Sequence, residues 1–217
     1  MYRAVLFDLD GTLADTAPDL GHALNLLLER HGRQPLPQDT IRPYASHGTP
    51  GLLGIGFSLT PEDPRFAPLR MEYLELYEAH LLTYTRLFDG MAELLEQLEQ
   101  RGLPWGVVTN KPERFAFPLM EKLALKTRAA TIIGGDTCAH PKPHPEPMHQ
   151  ASREVGVPPT ECLYVGDAER DVEAARAAGM ETLIAAYGYL GEHDRPLEWN
   201  ALGIIHSPLD ILAYLDQ

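Results

Sequence analysis

The sequence predicts an α/β fold, a parallel sheet core with an all-helical unit inserted after the first strand. Two observations carry this. Five short apolar runs, each beside a stretch of helical periodicity, alternate along the 217-residue chain as βαβ units do. Between Asp15 and about Phe88 that alternation stops, and no strand pattern is found.

Taken in order, Ala4–Phe7, Trp105–Thr109, Thr131–Ile133, Cys162–Val165 and Thr182–Ala186 read as buried strands. Glu93–Gln100 places apolar residues at 94, 95 and 98, one face of a helix. Glu169–Ala178 is alanine-rich and stops at Gly179, a C-cap signal. Pro208–Leu215 reads as a short final helix. Within the strand-free stretch, Leu20–Arg30 and Leu69–Leu82 are helical, and the part between them is rich in Gly and Pro. The expected domains are therefore 1–14 with 88–217, and the helical insertion 15–87. An insertion placed directly after a strand that ends in reactive groups can serve as a lid.

Composition narrows the class. Apolar residues make up 44 % of the chain, enough for a substantial core, and the net charge is −13. A surface that acidic repels nucleic acid and anionic membrane, so neither is expected as a partner. An anionic substrate then requires a cation and local basic residues to reverse the sign inside the pocket. Cys138 and Cys162 are too isolated to form a disulfide framework or a zinc site. No apolar run approaches the ~20 residues of a membrane span. A strand begins almost at the first residue, so no signal peptide is expected, and a cytoplasmic location fits. The charge and composition leave a monomer and a small homo-oligomer equally open.

The chemistry-bearing residues are expected at strand ends. The first apolar run closes in Asp8-Leu-Asp10-Gly-Thr12, and buried carboxylates are costly unless a cation or ligand offsets them. Thr109-Asn110 closes the second run; Lys142 follows in a proline-dense stretch, Pro141–Pro147; Gly166-Asp167 with Asp171 closes a later one. Parallel strands gather their carboxyl ends, so Asp8, Thr109 and Asp167 can share one crevice. Asp8, Asp10 and Asp167 offer hard oxygen ligands of the kind Mg²⁺ takes. A carboxylate can act as a nucleophile when a metal and a cation offset its charge, and a second acid nearby can move protons. Asp10 fits the second role, and Gly11 lets the chain turn sharply over the site. Because oxygen ligands already account for a metal, His140, His144 and His149 are read as non-ligands. Tyr73 and Tyr77, four residues apart on a helix, are read as packing.

This order and spacing resembles the haloacid dehalogenase superfamily of aspartate-nucleophile phosphatases. Asp8-Leu-Asp10-Gly-Thr12-Leu-Ala-Asp15-Thr16 is similar to that family's first motif, Thr109 to its second, Lys142 to its third, and Gly166-Asp167 with Asp171 to its fourth. The resemblance covers nearly the whole chain. It implies a Rossmann-like parallel sheet with a helical C1 cap. It implies Asp8 as nucleophile and Asp10 as general acid/base whose carbonyl also ligates Mg²⁺. Asp167 would complete the metal site, with Asp171 behind it. Thr109, Asn110 and Lys142 would bind the phosphate of a small phosphorylated metabolite.

The presence of Asp10 argues against the dehalogenase branch. No lysine precedes Lys111, which disfavours Schiff-base chemistry on a cap lysine. A β-phosphoglucomutase-type transferase lacks a clear cap signature here, and a silent binding module would not be expected to keep the whole acid and lysine set. The full-length pattern looks like the phosphoglycolate phosphatase group. The tail, Tyr187-Gly-Tyr189, Trp199 and Ser207-Pro208-Leu209, resembles the N-acetylmuramic acid 6-phosphate phosphatases. Arg42, Ser46, His47 and Gly48 lie where the family places a specificity loop, and Arg42 would suit a substrate carboxylate. Arg42 and His47 are therefore candidate substrate contacts.

Overall fold

The computed structural model describes residues 1–216. In chain order its elements are β1 (Ala4–Phe7), β2 (Ala14–Asp15), α1 (Ala17–Arg30), α2 (Gln38–Ile41), α3 (Gly48–Phe57), α4 (Phe66–Ala79), β3 (Arg86–Leu87) and α5 (Met91–Gln100). There follow β4 (Trp105–Val108), α6 (Glu113–Lys122), β5 (Thr131–Ile133), α7 (Glu146–Val155), β6 (Cys162–Gly166), α8 (Glu169–Ala178), β7 (Glu181–Ala185), β8 (Gly203–Ile205) and α9 (Leu212–Leu215). The chain divides into two compact units, one built from Met1–Ala14 and everything from Leu87 onward, the other from Asp15–Arg86.

The first unit holds a six-stranded sheet in the order β5-β4-β1-β6-β7-β8. Every pairing is parallel, which is the α/β sheet the sequence predicts. All four residues of β1 are fully buried between its neighbours. Successive strands run outward through β4 to β5 on one side of β1, then restart at β6 on the other. That reversal opens a crevice at the carboxyl ends of the central strands. Phe7 is in register with Val107 on one side and Val165 on the other. Asp8 therefore leaves the sheet level with the ends of β4 and β6. Helix α5 buries Met91, Leu94, Leu95 and Leu98, the expected face. Helix α8 ends at Gly179 with φ +82, a left-handed C-cap that glycine adopts without strain.

Several elements depart from the sequence expectation. Strand β8 was not anticipated, because a three-residue Gly-Ile-Ile at a sheet edge carries too little periodicity. The final segment is a 3₁₀ turn over Pro208–Ile211 that passes into α9, rather than one helix. Helix α6 is masked in the sequence by Pro118 within it. Helix α7 starts inside the proline-dense stretch; Pro147 falls in its first turn, where no intrahelical N–H is needed. Lys142 is consequently not at a strand end. It lies between β5, which stops at Ile133, and α7, and reaches the crevice by a loop.

In the second unit, α3 forms where the sequence is rich in glycine, at positions 48, 51, 54 and 56. A Cβ on Gly56 would lie 2.9 Å from Leu24 Cδ1, and one on Gly51 would lie 2.5 Å from His47 Cβ. The glycines thus let this helix approach α1 and the 3₁₀ turn Arg42–His47 closely, at a cost in helix propensity. Tyr73 and Tyr77 are buried with stacked rings, and the Tyr73 hydroxyl donates to the Leu20 carbonyl at 3.2 Å.

A buried carboxylate closes this unit. Asp19 is fully buried and accepts from the backbone N–H groups of Tyr84 (2.8 Å) and Thr85 (2.9 Å), and from the Thr85 hydroxyl (2.6 Å). Removing it leaves three donors unmet, each worth on the order of 1–3 kcal/mol. Asp19→Ala is expected to lower unfolding stability by about 3 kcal/mol in urea titration; a loss below about 1 kcal/mol would contradict this role.

Candidate active site

The site is assembled from the loops that follow β1, β4 and β6 and the loop that precedes α7. Asp8 continues the β1 ladder by donating its N–H to the Val165 carbonyl (2.9 Å). Its Oδ1 accepts the Leu9 N–H at 2.8 Å and faces Lys142 Nζ at 3.1 Å. Lys142 Nζ also donates to Asp171 Oδ1 (2.6 Å), the Val108 carbonyl (2.8 Å) and the Tyr164 hydroxyl (2.8 Å). An ammonium has three protons, so four oxygens at these distances saturate it. The Lys142 and Asp171 side chains are both 0 % exposed. A buried pair of this kind offsets a desolvation cost of several kcal/mol per ion through close geometry and the additional hydrogen bonds around it.

The rest of the site fixes this core. Asp171 Oδ2 accepts the Ala168 N–H at 3.1 Å, so both oxygens of that carboxylate have partners. Gly166 makes room for it, since a Cβ there would lie 2.5 Å from the Asp171 side chain. Asn110 donates its amide to the Lys142 carbonyl (2.8 Å) and accepts the Lys142 N–H on Oδ1 (2.9 Å). The Asn110 side chain thus clamps the lysine loop to the end of β4. The Thr109 hydroxyl accepts the Lys111 N–H at 3.1 Å. Asp10 is held separately, by Lys111 Nζ at 2.9 and 3.2 Å to its two carboxylate oxygens.

Gly11 turns the chain with φ +84, and a Cβ there would lie 2.1 Å from Asp167 Oδ2. Asp167 Oδ2 accepts the Tyr189 N–H at 2.9 Å. Gly188 is needed on the other side, where a Cβ would lie 2.3 Å from the Gly11 carbonyl oxygen. The Tyr187 hydroxyl donates to the Thr12 carbonyl at 3.2 Å. Residues 187–189 therefore form one wall of the crevice, a position that the resemblance of the tail to one group of phosphatases does not reveal.

Electrostatics follow from burial. Desolvation pushes the Asp8 carboxyl above its ordinary value, and Lys142 is the strongest pull in the other direction. Burial, then the charges of Asp171 and Asp8, hold the Tyr164 hydroxyl well above its usual range, so it stays a neutral donor. Burial draws the Arg170 guanidinium down, but Asp171, Asp8 and Asp167 together outweigh it and raise it. Lys142, Lys111 and Arg170 are the local cations that a chain of net charge −13 needs around an anionic ligand. Two of them, Lys111 and Arg170, escape sequence reading: each sits beside a motif residue and looks like an ordinary surface charge.

Asp8, Asp167 and Asp171 bring carboxylate oxygens within 4.8 Å of one another, all buried. That donor set suits a hard divalent cation. Asp171 differs from the others because both its oxygens are taken by Lys142 and Ala168. Arg42 and His47 belong to the second unit. Arg42 Nη1 donates to Asp15 at 2.9 and 3.0 Å, and the His47 ring stands edge-on to Tyr44 with centroids 6.1 Å apart.

Residues 5–185 match the model of the haloacid dehalogenase-like hydrolase family. The chain belongs to that family. It is 39 % identical over 215 residues to an N-acetylmuramic acid 6-phosphate phosphatase of Pseudomonas aeruginosa, covering 99 % of this chain and 95 % of that protein. It is 46 % identical over 206 residues to a phosphoglycolate phosphatase of Xanthomonas campestris pv. campestris, covering 95 % and 93 %. The crystal structure of a predicted phosphoglycolate phosphatase from Haemophilus somnus superposes with a TM-score of 0.86 at 25 % identity, covering 99 % and 98 % of the two chains. As a haloacid dehalogenase-like hydrolase, the protein is an enzyme, and no helix among its described residues is long and apolar enough to cross a membrane.

Removing the Lys142 charge strands two buried carboxylates. Lys142→Met is expected to cost about 3–5 kcal/mol in urea unfolding. Asp171→Asn added to it should recover part of that loss, because one of the stranded charges disappears. A single-variant loss below about 1 kcal/mol, or strictly additive losses, would show that the pair is not the internal support described.

Proposed function

We propose that this chain is a phosphomonoester hydrolase that works through an aspartyl-phosphate on Asp8. The observation that carries the reading is the division of labour between two acids one residue apart. Asp8 is buried against Lys142, whereas Asp10 is held by a different lysine at the mouth of the crevice. Such a pair of environments separates a nucleophile from a proton carrier. Because Leu9 and Lys142 both address Asp8 Oδ1, Oδ2 is the oxygen presented for attack.

In the first step Asp8 Oδ2 forms a bond to phosphorus as the ester P–O bond breaks. Asp10 gives its proton to the departing alkoxide oxygen. In the second step Asp10, now a carboxylate, takes a proton from water, whose oxygen attacks the phosphorus of the aspartyl-phosphate. The Asp8–phosphate bond breaks, inorganic phosphate leaves, and both acids return to their starting forms. Lys142, the Thr109 hydroxyl and the Asn110 backbone N–H would hold the phosphoryl oxygens. Asp8 and Asp167, with the Asp10 carbonyl, would hold a Mg²⁺ ion, and Asp171 would orient them from behind through Lys142. When bound, that ion offsets negative charge between the nucleophile and the incoming phosphate.

For the substrate we propose 2-phosphoglycolate, the compound named for the Xanthomonas relative. N-acetylmuramic acid 6-phosphate is the second reading, because similarity to the Pseudomonas aeruginosa enzyme runs over 99 % of this chain. Both compounds carry a carboxylate. We assign Arg42 and His47 to substrate selection on that basis, within a helical cap spanning Asp15–Arg86. A small cytoplasmic metabolite is the class of substrate that an acidic protein with an internal cluster of cations suits.

Three measurements decide the reading. Asp8→Asn should lower kcat on an aryl phosphate in Mg²⁺ by at least ~10³-fold, with the fold intact by circular dichroism. Chelation with EDTA should abolish turnover, and added Mg²⁺ should restore it; activity unchanged by either treatment sinks the mechanism. Side-by-side kcat/KM values for 2-phosphoglycolate and N-acetylmuramic acid 6-phosphate should favour the first. Arg42→Ala should lower kcat/KM on these carboxylates by roughly 10- to 100-fold while sparing the aryl phosphate.

A further inference from the structure

The loop that delivers Lys142 carries a second cluster, on its outer side. We propose that His140, His144 and Glu146 form a binding site for a transition-metal dication of the Zn²⁺ type, separate from the buried aspartates. The three residues bring donor atoms within 4.8 Å of one another. His140 Nδ1 lies 3.1 Å from Glu146 Oε2, and His144 Nδ1 lies 3.9 Å from the same oxygen. Tetrahedral zinc with bonds of 2.0–2.2 Å places neighbouring ligands about 3.3 Å apart. The two separations bracket that edge, and small rotations of exposed side chains close the difference.

Three further features favour a ligand set over a chance cluster. The Glu146 backbone N–H points at His144 Nδ1 at 3.2 Å. That contact orients the His144 ring, and a metal would take the residue at Nε2 or by displacing this one hydrogen bond. The His140 backbone N–H donates to Glu146 Oε2 at 3.2 Å, which places that carboxylate beside the His140 ring. The backbone between the two histidines is stiffened by Pro141 and Pro143, with Pro145 just beyond, so little ordering remains to be done on binding. The imidazole rings are 63 % and 50 % exposed, which leaves the fourth position open to water.

Chemistry keeps the two sites apart. Two imidazoles and one carboxylate select Zn²⁺ over Mg²⁺, whereas the all-oxygen aspartate cluster suits Mg²⁺. His149, four residues into α7, is not part of the set. His140 and His144 stand two residues to either side of Lys142. A dication bound there would brace the loop that carries the buried ammonium and tie it to the first turn of α7.

The test is a Zn²⁺ titration of the full chain in excess Mg²⁺, read by competition with a chromophoric chelator. Wild type should bind one equivalent. The His140→Ala/His144→Ala double variant should bind at least 100-fold more weakly, and Glu146→Gln at least 10-fold more weakly. Asp167→Asn should bind Zn²⁺ as wild type does. Co²⁺ should give d–d absorption of a nitrogen-ligated ion in wild type and not in the double variant. Saturating Zn²⁺ should raise the wild-type Tm by about 5 °C and leave the double variant unmoved. The double variant should keep wild-type circular dichroism and Mg²⁺-dependent aryl phosphatase activity, so that lost binding is not lost folding. Failure of wild type to bind Zn²⁺ at ~100 μM, or equal binding by Glu146→Gln and wild type, overturns the proposal. Neither result bears on the aspartyl-phosphate reading, because the readout is binding rather than turnover.

Discussion

A single ammonium group organises the first unit. Lys142 Nζ touches the acid that leaves β1, a carbonyl from the end of β4, a hydroxyl from within β6 and an acid from the first turn of α8. Four elements from three regions far apart in sequence are thereby fastened at one point. None of the four oxygens could stand there alone. Asp8 and Asp171 would repel each other in a desolvated cavity, and the Val108 carbonyl would add to the negative potential. The sheet topology is the precondition: only at the reversal between β1 and its two neighbours do strand ends converge closely enough to share one cation. Asn110 then holds the lysine's own backbone, so the ammonium is placed by hydrogen bonds at both ends of its side chain.

The same arrangement explains how an acidic protein can serve an anionic ligand. The chain carries 31 acids against 18 lysines and arginines. Spread over the surface, that excess repels phosphate esters, but with screening over roughly 8 Å in physiological salt it decides little inside a crevice. What counts there is the local set. Lys142, Lys111 and Arg170 stand within it, each compensated by an aspartate, and a divalent cation among the aspartates would tip the balance positive.

Much of this was legible in the sequence, and the pattern of what was not has physical causes. The parallel sheet could be read because its strands are continuous apolar runs, as strands covered on both faces are. The first acidic pair could be read because carboxylates directly after such a run demand compensation. Lys142 was harder, since no strand end precedes it and only its proline-rich setting and its order in the motif series marked it. Lys111 and Arg170 could not be distinguished from surface charges, because their burial depends on which loops fold over them. Helix α3 was hidden for a related reason: its glycines lower helix propensity, and their benefit, close approach to α1, exists only in the packed state. The Tyr187–Tyr189 wall likewise acts through backbone groups, the Tyr189 N–H and the space beside Gly188, and backbone roles leave little trace in residue type.

This division bears on what can vary in such a molecule. The buried groups of the crevice are locked to one another, so a change at Lys142, Asp171, Gly11 or Gly166 disturbs several partners at once. Those positions constrain each other strongly. Arg42 sits under a different regime. Its partner Asp15 is a neighbouring chain segment, the pair is partly exposed, and an ion pair of that kind is worth about 1 kcal/mol or less. An arginine held so weakly can exchange Asp15 for another carboxylate at small energetic cost. Under the proposed assignment of Arg42 and His47 to substrate selection, substrate choice would drift without disturbing the buried lysine and its acids. Proteins similar to this chain over more than nine-tenths of its length are named for esters as different as 2-phosphoglycolate and N-acetylmuramic acid 6-phosphate, so sequence similarity over the core says little about which one a given chain prefers.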